Sequence, residues 1–241
     1  MSLLTSHCQA NSPVTMIADF DFSAISIMEV LVPKKGGVQG AKIAPILYKG
    51  QPINFLLGSL EEPVRIPFPV STFDRNPAAT RVNMVLEVNN PAFQAFFKEF
   101  DEAIIRILTN RSTEFVQQKS LSHEQVSMCY KPCLNHSPPY SPNVKCKINI
   151  GDDANQVTVW NDDGKNIDIP QLFRKSKVTA ELTLRAVWLA SNMCGLSLQS
   201  DHIMLCQKEA DTPCPFHSML VNLTENELIE NTEEDDRMSY R

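Results

Sequence analysis

No run of eighteen apolar residues interrupts this chain of 241, so nothing in it reads as a membrane span. The opening MSLLTSHCQANSPV has no basic stretch leading into an apolar one and no arginine-rich run. Neither a secretory signal nor a transit peptide is therefore expected, and an intracellular protein is. A disulfide framework is missing as well. Seven cysteines are an odd number, scattered without scaffold spacing, which suits a reducing compartment.

The usual marks of an enzyme are absent too. The glycine-rich segment KKGGVQG lacks the Gly-Lys-Ser/Thr ending of a phosphate loop, and neither Gly-x-Ser-x-Gly nor His-Glu-x-x-His occurs. His123 and Glu124 are adjacent in a predicted helix and so do not face each other as a catalytic pair. Asp152-Asp153 and Asp162-Asp163 fall in apparent hairpin turns, where aspartate is common for backbone reasons. Metal chemistry has one candidate set. Cys129, Cys133 and His136, with Cys206, Cys214 and His217, offer thiols and imidazoles for a zinc site. No Cys-x-x-Cys knuckle supports it, so no cofactor is expected and a zinc-stabilised module is carried as an alternative.

The chain also lacks the overall positive charge expected of a nucleic-acid binder, with a net of −6. That figure hides two unlike parts. From 209 to 241 there are nine acids and two bases, a net of −7, whereas from 34 to 208 there are 20 bases and 16 acids, a net of +4. The acidity is a tail on a mildly basic body. Such a tail is usually just a solvated, disordered end; the sharper reading is one that recruits partner proteins or competes with an anionic ligand for a basic groove.

Hydrophobic periodicity supplies the elements that are there. Residues 1–22 read as an irregular arm, 23–208 as one domain with a helical insertion at about 90–128, and 209–241 as a disordered tail. Ala24–Val32 reads as a strand, and KIAPILYKGQPINFLLGSL as two strands about a turn at Lys49-Gly50. Arg81–Val88 alternates as a strand. A long helix follows, capped by Asn90 with Pro91 in its first turn. Phe93, Phe96, Phe97, Phe100, Ile104 and Ile107 or Leu108 form its apolar stripe, and Lys98, Asp101, Glu102 and Arg106 lie mainly on the other side. A short helix is predicted at Ser122–Ser127. Beyond a proline-broken connector the pattern turns to β: VKCKINI, QVTVW, a turn at NDDGKN, and a long strand followed by GLSLQSDHIMLC. Val178, Ala180, Leu182, Leu184, Ala186 and Trp188 share one face of the long strand. Lys177, Thr179, Glu181, Thr183 and Arg185 share the other. The expected class is α+β, an oligonucleotide-binding-like (OB-like), partly open β-barrel carrying one long amphipathic helix, with disordered termini.

Cations with aromatic side chains on those strand faces are what unpaired nucleic acid needs, because cations follow the phosphates and flat rings stack on bases. Lys145 and Lys147 share a face. Arg174, Lys175 and Lys177 precede the long strand, and Arg185 continues its outward face. Trp160 stands opposite in parity to Val157 and Val159, and Tyr48, Tyr130, Tyr140 and Phe173 are further stacking candidates.

The order of motifs adds a resemblance. LYKGQPINFLLGSLEEPVRIPFPV, VNMVLEV, FFKEFDEAIIRIL, LSHEQVSMCYKPCL, SPPYSPNVKCKINI, VTVWNDDGKNI and SKVTAELTLRAVWLASNMCGLSLQSDHIMLCQ occur in sequence over residues 40–207. This resembles the single-stranded DNA-binding protein family of the nucleocytoplasmic large DNA viruses, with African swine fever virus, algal-virus and dinoflagellate relatives. The resemblance implies an OB-like core, no catalysis, and support of viral DNA replication, recombination or repair at a nuclear or cytoplasmic replication site. Its implied partners are single-stranded DNA and, through the tail, replication proteins. RNA binding and self-association stay open. By position it implies roles for Tyr48-Lys49-Gly50, Tyr130-Lys131-Pro132, Tyr140, Lys145, Lys147, and Lys175 to Lys177 with Trp188, although strand parity places Trp188 in the core. Relatives end GIWFAGGKFG where this chain has AVWLASNMCG, so a Gly-Gly-Lys turn is lost. The alternative from another class is a viral structural or scaffold module that binds protein.

Overall fold

The computed structural model describes residues 17–30, 42–71, 79–116, 120–151, 155–169, 173–190 and 193–208. The chain divides into two units, Met1–Lys208 and Glu209–Arg241, and only the first contains described residues. In chain order its strands before the helices are β1 (Ile25–Ile27), β2 (Lys42–Tyr48), β3 (Ile53–Leu57), β4 (Val64–Arg65) and β5 (Arg81–Glu87). Helices α1 (Pro91–Asn110), α2 (Ser112–Val116) and α3 (His123–Cys129) follow. The chain then returns to strands β6 (Tyr130–Lys131), β7 (Leu134–Asn135), β8 (Asn143–Asn149), β9 (Thr158–Trp160), β10 (Asn166–Ile167), β11 (Ser176–Ala190) and β12 (Met193–Lys208).

The spine is the antiparallel hairpin β11–β12, 15 and 16 residues long. Along its outer side β11 takes β4, β3 and β2 in succession. Along the other side β12 takes β6, β8 and β9, all parallel. The sheet path β1-β2-β11-β12-β8-β5 does not return to its start, so the core is an open sheet. The fold is α+β: a partly open, OB-like β core carrying one long amphipathic helix.

That helix forms for the reasons its sequence gives. Asn90 Oδ1 accepts the Ala92 amide at 2.9 Å, and Pro91 occupies the first turn, where its missing N–H has no partner to lose. Phe96, Phe97, Phe100, Ile104 and Leu108 are buried against the sheet. Phe96 packs edge-on to Phe20 and Phe55, and Phe20 stacks on Tyr48, so the arm before β1 is held by rings from both layers. Burying aromatic side chains of this size is the main apolar gain of the helix–sheet contact. Asp101 departs from the expected polar face and is buried. The predicted short helix is α3, closed by a capping box between Ser122 and Gln125.

The hairpin register is broken three times. Cys206 and Asp201 are extra residues in β12, and Arg185 is an extra residue in β11, with Leu184 facing Leu198 and Ala186 facing Ser197. An unpaired residue of this kind reverses the side-chain alternation beyond it. Up to Leu184 the even-numbered residues are buried; after Arg185 the fully buried residue is Val187. Trp188 therefore leaves the core face on which simple parity places it.

Candidate nucleic-acid interface

Trp188 emerges onto a groove of about 690 Å³ that runs across β5, β8, β12 and the connector around β6 and β7. Lys145 and Lys147 reach it from β8, where their alternation with buried Val144, Cys146 and Ile148 turns them outward. Asn83 and Val85 of β5 lie in register with Lys147 and Lys145 and extend the floor. Lys131 enters from β6, in register with Gly195 of β12. Among the described residues no aspartate or glutamate lines the groove, and no carboxylate holds any of its three ammonium groups. The site thus carries three formal positive charges without internal compensation.

Its aromatic side chains are placed rather than loose. The Trp188 indole donates from Nε1 to the Leu196 carbonyl at 3.1 Å. It rests over Gly195, where a Cβ would stand 2.8 Å from Cζ2 and 3.1 Å from the Lys131 carbonyl. Only glycine admits both neighbours. At the opposite rim Tyr140 and Phe68 meet edge-to-face, centroids 5.6 Å apart at 73°. They remain 58% and 38% exposed, which leaves ring surface open to a ligand.

The strip that carries Lys131 is fastened to α1. Asp101 Oδ1 accepts a 2.6 Å hydrogen bond from Tyr130 Oη, and Oδ2 accepts the Cys133 amide at 2.9 Å. Burial raises the Asp101 carboxyl to about 6, against the opposing pull of those two donors. Burial and the nearby carboxylate push the Cys133 thiol well up, and burial lifts Cys146 to about 12 and Cys194 to about 11. None of these thiols has the electropositive setting that makes a reactive thiolate.

The chain is similar to phage single-stranded DNA-binding proteins. The solved structure of gp2.5 of bacteriophage T7, a single-stranded DNA-binding protein, has 13% identity and a TM-score of 0.46, over 68% of this chain and 91% of that one. The single-stranded DNA-binding protein of bacteriophage Enc34 has 10% identity and a TM-score of 0.42, over 79% and 97%. The same protein in complex with single-stranded DNA has 14% identity and a TM-score of 0.42, over 75% and 97%. No family model and no curated protein matches. At this distance no side chain of the groove is assigned from the likeness.

Of the residues the sequence singled out, Lys131, Tyr140, Lys145 and Lys147 converge on the groove. Others stand elsewhere. Tyr48 is buried, its ring stacked on Phe20 at 4.4 Å, so it offers no face to a ligand. Lys49, at the β2–β3 turn with φ 49°, lies over the Tyr48 ring. Arg185 is held by Asp201 at 2.7 Å, so two of the hairpin's three extra residues pair with each other. Trp160 is half-buried in β9, in register with Met204. Arg174, Lys175 and Lys177 lie at the far end of β11, with Lys177 opposite Arg65. Eleven residues of strand separate Lys177 from Trp188, and none of the three cations lines the groove.

The zinc candidates divide as well. Cys133 faces Asp101 and Cys206 lies 3.5 Å from Thr179 Oγ1, while Cys214 and His217 fall outside the described residues. Among the described residues no three metal-ligating side chains come together, and no helix is long and apolar enough to cross a membrane.

Parity hid Trp188, and Phe68 had no pattern around it. Its one signal is the pair of flanking prolines, Pro67 and Pro69, which hold an aromatic ring on an extended loop.

Proposed function

We propose that this groove binds single-stranded DNA without catalysing a reaction on it. The observation that carries the reading is the set of Lys131, Lys145 and Lys147, with no acid among the described lining residues, around the seated indole of Trp188. Lysines neutralise phosphates and release counterions, while stacking on Trp188 and Tyr140 contributes about 1–3 kcal/mol per base whatever its identity. A duplex hides its base faces and gains nothing from the rings. The finer reading follows the sequence resemblance: an intracellular protein of the large-DNA-virus type that protects unpaired strands during replication, recombination or repair. Its acidic 209–241 segment would recruit replication proteins or compete with phosphate.

The test is a fluorescence titration with oligothymidylate at two salt concentrations. Quenching of tryptophan emission is expected, with log K falling as log salt rises by about 0.7 per phosphate contacted. Binding that is absent, or indifferent to salt, ends this reading.

A further inference from the structure

The groove carries a hydroxyl placed where an enzyme could put a phosphate. β7 and β8 form a hairpin, Asn135 facing Asn143, and the intervening loop hangs from the end of β8 that carries Lys145. Asn135 through Tyr140 are all exposed, and Ser137 lines the groove with Lys131, Lys145 and Lys147. A turn with the Tyr140 amide donating to the Ser137 carbonyl at 3.1 Å holds the segment at the rim. Pro138 follows Ser137 directly. An exposed serine followed by proline, in a loop outside regular structure, is the substrate form that proline-directed serine/threonine kinases accept. The neighbouring Ser141-Pro142 is a poorer substrate, because Ser141 is half-buried and its carbonyl accepts from the side chain of buried Asn143.

We propose that Ser137 is a phosphorylation site that closes the groove to polynucleotide. The Ser137 hydroxyl oxygen attacks the γ-phosphorus of ATP on a proline-directed kinase. The bond from that phosphorus to the bridging oxygen breaks, ADP leaves, and the hydroxyl proton passes to the kinase's catalytic aspartate. The product carries about −1.5 to −2 charges and three strong acceptor oxygens. Placed among three lysines with no carboxylate among the described lining residues, it forms charge-assisted hydrogen bonds and occupies the place of a DNA phosphate. Polynucleotide lying in the groove would cover Ser137 and so shield it sterically from the kinase.

The effect on DNA rests on the function proposed above; the modification and its contacts do not. Full-length protein is treated with a proline-directed kinase and ATP, and the phosphate is located by mass spectrometry. Phosphate on Ser137, loss of at least about tenfold in oligothymidylate affinity, a salt slope shallower by about 1, and recovery with phosphatase are expected. Ser137→Ala should resist the kinase's effect and Ser141→Ala should not. Independently of DNA, 31P NMR should place the second pKa of phosphorylated Ser137 below the value near 6 of a solvated phosphoserine. Lys145→Gln with Lys147→Gln should return it. The proposal fails if the kinase modifies a peptide spanning 133–145 but leaves the folded protein untouched. It also fails if Ser137 is fully phosphorylated and oligothymidylate binds as before, or if the 31P titration is that of a free phosphoserine. Unmodified protein that ignores oligothymidylate overturns the function alone, and the 31P titration then decides the phosphate's placement.

Discussion

Tyr130 Oη donates to Asp101 Oδ1 at 2.6 Å, joining the long helix to the strand that delivers Lys131 to the groove. The carboxyl titrates at about 6 in the folded protein, above the 3.8 of an ordinary aspartate. The folded state therefore holds a proton that the unfolded chain releases between about pH 4 and 6. Stability from this group is present at acid pH and is lost as pH rises through that window, by up to about 3 kcal/mol. Asp101→Asn removes the titration. The difference in unfolding free energy between wild type and Asp101→Asn should change between pH 4 and 6 and be level above pH 7, as followed by urea denaturation.

Substitution separates the groove lysines from a cation already paired on the hairpin. Lys145→Glu or Lys147→Glu should weaken oligothymidylate binding at least about tenfold and reduce the salt slope by about 1. Arg185→Ala should leave both unchanged, because its guanidinium already belongs to Asp201. Equal losses from all three would mean that binding is diffuse attraction by the whole body.

The two tryptophans can be told apart. Trp188→Ala should cost about 1–3 kcal/mol of binding and abolish most of the quench, whereas Trp160→Phe should leave the quench in place. A quench that survives in Trp188→Ala and disappears in Trp160→Phe would move the interface to β9.

Gly195→Ala tests the seat beneath the indole. The added methyl would stand 2.8 Å from Trp188 Cζ2 and 3.1 Å from the Lys131 backbone carbonyl, so ring and strand must both give way. Overpacking of this kind costs about 1–3 kcal/mol of stability. A shifted Trp188 emission and weaker DNA binding should accompany it; native emission together with native affinity would show that the ring has room to spare.

Much of this was legible from local pattern. The stripe Phe96, Phe97, Phe100 and Ile104, the cap at Asn90 and the alternation of Val144 to Ile148 each depend on neighbours within a few residues, and each stands as expected. Lys145 and Lys147 followed from that alternation. Arg185 points outward as its alternation expects, but its pairing with Asp201 and the outward turn of Trp188 were not legible, because an extra residue in one strand is defined only by the partner strand, which periodicity does not see. Helical spacing puts Asp101 on the solvent side for a similar reason. Its donors, Tyr130 and the Cys133 amide, lie 29 and 32 residues further along the chain. The sequence offers Tyr48, Tyr130 and Phe173 as stacking rings, but Phe20, from the arm before β1, covers Tyr48, and Tyr130 and Phe173 are buried.

Arg185 has a consequence for descent. Loss of its single codon would leave composition almost untouched, yet it would send the indole into the interior and present Val187 to the ligand. Homologues of this chain would then keep or lose the exposed indole through insertions and deletions in one hairpin. Alignments that slide a gap along it would misplace the tryptophan by a whole sheet face.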